Sequence, residues 1–275
     1  MRAALVSGGD VNSIGQDGSM RMTALMFAVL RESIPIVKLL LQQPTIDVNK
    51  LEVDSPAGTA LHGAVSLGNI EIVQLLIIKL MADQRVDVNC KTGIQGSTPL
   101  HIVERKGYRG YTPLQLATLD GQVSLVQLFL ANQRVDVNCC NREGITPLHE
   151  ATGKGHVEAV RMLLADRKLD MNIKDQDNLA AVHYAAFHDQ DVVMQLLLSD
   201  PRLTSVNDVN IFGEAPVVVA LVNNSINSLR LLLHHPSVNL DKLKVLARKI
   251  NCHTILFAEN LSQDCGTCGP CRRGH

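Results

Sequence analysis

The sequence predicts an all-α repeat fold built from pairs of short helices. Three markers carry that reading. A helix start recurs as "TALM" from Thr23, "TALH" from Thr59, "TPLH" from Thr98, "TPLQ" from Thr112, "TPLH" from Thr146, "AAVH" from Ala180 and "APVV" from Ala215. With Thr98 set aside, the last four starts are spaced 34, 34 and 35 residues apart, and the first two 36. A turn marker keeps step: "DVN" at 10–12, 47–49, 87–89 and 136–138, "DMN" at 170–172 and "SVN" at 237–239. Between them run the apolar stretches "IVKLLL", "IVQLLI", "LVQLFL", "AVRMLL", "VVMQLLL" and "LRLLL".

Each element has a local reason, clearest in the unit that begins at Thr146. The Thr146 hydroxyl suits a helix N-cap, where it accepts a bond from an orphaned backbone N–H. Pro147 suits the first helical position, which needs no N–H partner. Leu148, Ala151 and Thr152 give a short face with small residues. "GKGH" at 153–156 ends that helix. Val157, Val160, Leu163 and Leu164 then recur at helical spacing, the apolar stripe of a second helix. The polar "DMNIKDQDN" that follows reads as a turn or hairpin loop.

Composition narrows the function. The chain has 275 residues, 46% of them hydrophobic, but only 3% aromatic and no Trp. A core of Leu, Val, Ile and Ala suits many similar helix contacts. The net charge of −1 gives no electrostatic footprint for nucleic acid. The apolar runs fall short of the ~18 or more residues that span a bilayer. "MRAALVSGGDVNS" has no signal-peptide core. Seven Cys in such a chain read as free thiols or metal ligands. The expected location is intracellular, cytoplasmic and/or nuclear.

The pattern resembles the ankyrin repeat family, and "NREGITPLHEATGKGHVEAVRMLLADRKLDMN" is the unit that matches it best. About six such units and a fragment cover residues 1–240. The resemblance implies antiparallel helix pairs stacked into a curved solenoid, with hairpin-like fingers along one edge. It also implies a non-catalytic scaffold that binds a protein partner through its concave face and fingers, as a monomer or within a larger complex. Aligned to the family, the partner-facing positions are Arg142, Glu143, Ile145 and Lys154, then Gln176, Asp177, Phe187 and His188, then Ile211 and Phe212. Phe187 and Phe212 sit in degraded units, where core placement fits equally well. The units that start at Ala180 and Ala215 lack the N-cap Thr and are expected to be weak layers, with the first unit.

The start at Thr98 is surplus. Thr59 to Thr112 is 53 residues, too many for one repeat. "TPLHIVERKG" supplies a first helix without a second, so residues 97–110 read as an orphan helix inserted in a finger. Tyr108 and Tyr111 flank Arg109 there, and Tyr and Arg are enriched in interface hot spots. The plainer reading has the two Tyr packing the inserted helix onto the stack.

The ends depart from the repeat. "AALVSGGDVNS" reads as the last turn of a second helix with its turn, which suggests a fragment of a longer protein or, alternatively, a short cap. Leu243, Leu246, Ala247 and Ile250 predict a capping helix within 241–262. The tail 263–275 carries Cys265, Cys268 and Cys271 at C-x2-C-x2-C spacing, then His275. Three thiolates and an imidazole suit zinc, with Cys252 and His253 as extra ligands; the spacing also fits iron–sulfur runs. The other reading is a Gly-rich tail of free thiols. The zinc reading makes the chain a metal- or redox-responsive module, and no other cofactor is expected.

No catalytic constellation emerges, so the chain is not expected to be an enzyme. His62, His101, His149 and His183 hold the fourth motif position, where the family resemblance implies loop-stabilising hydrogen bonds. "HEATGKGH" is not a zinc pair, because its second His stands seven residues after the first, not four. "TGKGH" lacks the glycine and hydroxyl of a phosphate loop. "LQQPTIDVN", "LANQRVDVN" and "LADRKLDMN" resemble ankyrin sites of the oxygen-sensing asparaginyl hydroxylase. That makes Asn49, Asn138 and Asn172 candidate modification sites, although Leu and Asp-Val-Asn also serve the helix end and turn alone.

Overall fold

A computed structural model describes residues 10–17, 20–50, 59–82, 89 and 110–240. Among them, a short hairpin precedes six consecutive helix pairs. The hairpin joins β1 (Ile14–Asp17) to β2 (Met20–Thr23), antiparallel, with Ile14 opposite Thr23 and Asp17 opposite Met20. The pairs are α1 (Ala24–Leu30) with α2 (Ile34–Leu41), α3 (Ala60–Ser66) with α4 (Ile70–Ala82), and α5 (Pro113–Leu119) with α6 (Val123–Leu130). Then come α7 (Pro147–Lys154) with α8 (Val157–Ala165), α9 (Ala181–Phe187) with α10 (Asp191–Ser199), and α11 (Pro216–Val222) with α12 (Ile226–His234).

The first helix of each pair is short because both ends are fixed. At three of the starts a Thr hydroxyl accepts a backbone N–H from inside the helix: Thr23 from Met26 at 3.2 Å, Thr112 from Gln115 at 3.4 Å, Thr146 from His149 at 3.4 Å; Ala180 and Ala215 offer no such cap. After its end one residue takes positive φ: Glu32, Gly68, Gly121, Gly155, Asp189 and Asn224 in turn. That conformation reverses the chain into the second helix. Five residues after each start stands an alanine. Ala28, Ala64, Ala117, Ala151, Ala185 and Ala220 are all essentially sealed from solvent. A methyl group there lets neighbouring first helices approach closely. The second helices bury one stripe each, such as Val37 and Leu40, Val73 and Leu76, or Val193 and Leu197. Each such side chain contributes about 1.5–3 kcal/mol on burial.

The described residues form two compact units. Unit one holds those up to Ala151 together with Glu158–Leu169; unit two holds Thr152–Val157 and those from Asp170 on. In unit one, α1 packs on α3 and α3 on α5, while α2 packs on α4 and α4 on α6. In unit two, α9 packs on α11 and α10 on α12.

Asparagines in the loops between helix pairs reach the next loop. Asn12 donates Nδ2 to the Thr45 carbonyl at 2.7 Å and accepts from Asp47 N at 2.7 Å. Asn89 does the same with Arg134 O at 2.9 Å and Asp136 N at 2.7 Å. Asn172 donates to Arg202 O at 2.8 Å and accepts from Thr204 N and Ser205 N at 2.8 and 3.0 Å. Asn207 serves Ser237 O and Asn239 N, both at 2.6 Å. The preceding Asp orients the Asn by taking its backbone N–H, as Asp170 does for Asn172 at 2.9 Å.

The surplus start falls between two of these links. Asn89 bonds directly to the loop at 134–136, and α3 packs directly on α5. The repeat that starts at Thr112 therefore follows the one that starts at Thr59. The orphan helix assigned to 97–110 lies, but for Gly110, outside the described residues, as do the partial repeat before Asp10 and the proposed cap at 241–262.

Replacing Asn172 with alanine removes three inter-loop bonds, to half-buried Arg202, exposed Thr204 and buried Ser205. The expected cost is about 2–3 kcal/mol of unfolding free energy, read by urea denaturation against the intact chain.

Candidate protein-interaction surface

The fingers are made by one turn written three times. Asn141, Asp175 and Asn210 stand 34 and 35 residues apart. Asn141 Oδ1 accepts from Glu143 N and Ile145 N at 2.9 and 3.0 Å. Asp175 Oδ1 accepts from Asp177 N and Leu179 N at 2.9 and 2.8 Å. Asn210 Oδ1 accepts from Phe212 N and Glu214 N at 3.0 and 2.9 Å. Three residues after each stands a residue of positive φ: Gly144, Asn178 and Gly213. The two residues at each tip are thereby turned outward. Arg142, Glu143, Gln176 and Asp177 are exposed, and so are Ile211 at 53% and Phe212 at 77%. Ile211 N also donates to Asp177 O at 3.0 Å, which ties one tip to the next within unit two. Ile145 is half-buried beneath its tip.

The ends of the first helices supply the second exposed set. Lys154 and His188 are exposed, and Phe187 is 55% exposed. The sequence leaves Phe187 and Phe212 between core and surface; both lie on the surface. It misses Val222, at 61%, and Ile226, at 51%. The signal for Val222 was available, because it follows Ala215 by the same seven residues that separate Phe187 from Ala180.

Tyr111 has an internal partner. Its phenol donates to Glu150 Oε1 at 2.6 Å, and burial together with that bond pushes its pKa up. Tyr184, inside α9, donates to Asp175 Oδ2 of its own finger at 2.8 Å. Gly110, at φ +78°, lets the chain pass where an added Cβ would stand 3.2 Å from Arg142 N. Tyr108 and Arg109 lie outside the described residues, as do Cys252, His253, Cys265, Cys268, Cys271 and His275.

The histidines at the fourth motif position pin the loops. Thr59 N donates to His62 Nδ1 at 3.2 Å, and His62 Nε2 lies 3.0 Å from Tyr111 O. Thr146 N donates to His149 Nδ1 at 3.1 Å. Ala180 N donates to His183 Nδ1 at 3.1 Å, with His183 Nε2 3.1 Å from Asp208 O. A ring that accepts at Nδ1 and faces a carbonyl at Nε2 must be neutral with its proton on Nε2. Gln115 replaces the ring in one repeat and repeats the pattern: Thr112 N donates to its Oε1 at 2.9 Å, and its Nε2 donates to Ile145 O at 2.6 Å. His101 lies outside the described residues.

The candidate modification sites are half-buried. Asn138 donates Nδ2 to Lys168 O at 2.7 Å, and Asn172 makes the three bonds given above. Asn49 donates its backbone N–H to Asp47 Oδ1 at 3.0 Å. No cluster of three or more metal-ligating side chains occurs among the described residues. No helix among them is long and apolar enough to cross a membrane.

A family model described as ankyrin repeats (3 copies) matches residues 2–87 and 77–175, more than half the chain. The chain belongs to the ankyrin repeat family. Solved ankyrin structures share its fold. An ankyrin repeat domain from Acinetobacter baumannii AYE aligns with a TM-score of 0.60 at 25% identity, over 76% of this chain and 95% of that one. A second ankyrin repeat protein aligns with a TM-score of 0.61 at 23% identity, over 77% and 97%. No curated protein matches. Ankyrin repeats are in general protein-binding modules without catalytic activity.

The neutral, buried His183 gives the ankyrin stack a pH dependence. Burial holds His183 below its ordinary value of 6.5. Protonation in the unfolded chain then precedes protonation in the fold, so this stability is full above pH 6.5 and falls as pH drops through the lowered folded value. His183→Gln, copying Gln115, should keep the bonds and lose less stability than the intact chain between pH 7.5 and pH 5, as measured by thermal denaturation.

Proposed function

We propose that this chain is a non-catalytic scaffold that docks a partner protein across its fingertips and first-helix ends. One observation carries the reading. Within unit two the four most exposed of the large apolar side chains, Phe212, Val222, Phe187 and Ile211, stand on those two features, and Ile226, at the start of α12, comes next. Each exposes more than half of its surface to water, and large aromatic side chains so placed dominate interface energetics.

The surrounding groups fit a recognition surface. Each tip is braced by a side-chain cap on its own turn, so little ordering is left to be done on binding. The tips also carry ionisable groups of both signs, Arg142 and Glu143 on one, Asp177 on another. Such groups steer and orient a partner more than they hold it.

Affinity capture with the intact chain, run beside a Phe187→Ala/Phe212→Ala variant, tests the reading. Exposed positions tolerate truncation, so the variant should unfold within about 0.5 kcal/mol of the intact chain. A partner should be retained by the intact chain and lost about tenfold or more by the variant. Equal retention by both would place the docking surface elsewhere.

A further inference from the structure

The apolar side chains at the first-helix ends of unit two have unequal surroundings. Phe187 ends α9 and Val222 ends α11, at the same place on two helices that pack side by side. Ser225 Oγ, just past Val222, donates to the Phe187 carbonyl at 3.4 Å and fastens the two ends together. On the other side of Phe187 lies His188, its ring edge-on with 4.9 Å between centroids. That imidazole lies over Gly153. A Cβ there would come within 3.7 Å of His188 Cδ2 and 3.2 Å of Tyr184. The His188 ring thus stands at contact distance from the end of α7, near Lys154.

Lys154 is exposed and makes no ion pair among the described residues. Its charge reaches His188, where burial first and Lys154 second hold the imidazole below its ordinary value. The carboxylates that follow are already engaged. Asp189 accepts from Ser228 N at 2.8 Å and Asn227 Nδ2 at 3.1 Å, and Asp191 from Val192 N at 2.7 Å. An apolar pair edged by an unpaired cation, with the acids that follow His188 engaged by other donors, complements an apolar side chain that has a carboxylate beside it.

We propose that Phe187, Val222, His188 and Lys154 form the docking site for an acidic–apolar segment of a partner protein. One large apolar side chain covers Phe187 and Val222, and an Asp or Glu next to it pairs with Lys154. The site rests on the protein-binding reading above and adds the chemistry of the partner.

The test is selection of a random-peptide phage library on the intact chain, followed by fluorescence anisotropy with the enriched peptide. Enriched sequences should carry Asp or Glu close to Leu, Ile, Phe or Trp. Phe187→Ala should weaken the peptide about tenfold. Lys154→Glu, which turns an attraction into a repulsion, should weaken it about fivefold or more. Changing the peptide's acid to Lys should restore binding to Lys154→Glu. Lys154→Gln and a salt titration of the intact chain give the same reading without a charge reversal, and circular dichroism checks folding. A peptide lost on Phe187→Ala but indifferent to Lys154→Glu, Lys154→Gln and salt would overturn the acidic partner and keep the docking face. Peptides indifferent to every variant, or no enriched sequence at all, would overturn both. Self-association of the intact chain abolished by Lys154→Glu would make a second copy the occupant and overturn the proposal as well.

Discussion

A carboxamide holds each loop to the next. Asparagine suits the task because its side chain donates and accepts at once, at a fixed short reach. Aspartate would only accept, and glutamine would stand a methylene too far out. Within each unit the bridge meets a neighbouring loop through one carbonyl and at least one N–H, at 2.6 to 3.0 Å. The spacing of the loops then sets the spacing of the helix pairs, and the alanine on each first helix has to match it. A bulkier residue there would push the layers apart and stretch the bridge. Local turn chemistry and helix packing therefore specify the same geometry, as expected of a fold whose repeats cannot close a core alone.

That constraint explains how the chain carries its surplus start. The links that matter are made by residues on either side of it. Asn89 reaches 134–136, His62 reaches Tyr111 O, and Arg134 donates to Leu80 O at 3.0 Å. These bonds bring the two repeats together whatever the length of chain between Asn89 and Gly110. The entropy cost of a longer connection grows only slowly with its length. An insertion at this point is tolerable because it interrupts the sequence without interrupting the ladder.

The helix pairs were legible in the sequence because their signals are local. A Thr hydroxyl at the start, an apolar stripe and a turn each act over a few residues. Asn207 was legible but passed over: "SVN" at 205–207 repeats the marker at 237–239, and in the fold it forms a 3-10 turn, Ser205–Asn207. The caps of the finger turns were hidden because Asn141, Asp175 and Asn210 look like ordinary polar loop residues until their side chains are seen closing on their own backbone. Exposure of Phe187 and Phe212 was not legible either, since it depends on which face neighbouring helices cover. Tyr111 read as a contact residue, but Glu150, distant in sequence, takes its hydroxyl. Only alignment of Val222 with Phe187 would have drawn the surface patch in advance.

The patch and the ladder divide the labour of the repeat. Residues that bridge, cap or pack are fixed by the fold, which leaves the tip residues and first-helix ends free to vary in chemistry. The bridge itself is tested most directly by amide hydrogen exchange on an Asn89→Ala variant. The account predicts that the amide of Asp136, 47 residues away, loses protection more than amides in the helices of unit one. Unchanged protection at Asp136 would show that the repeats keep their spacing without the asparagine, and would contradict the account.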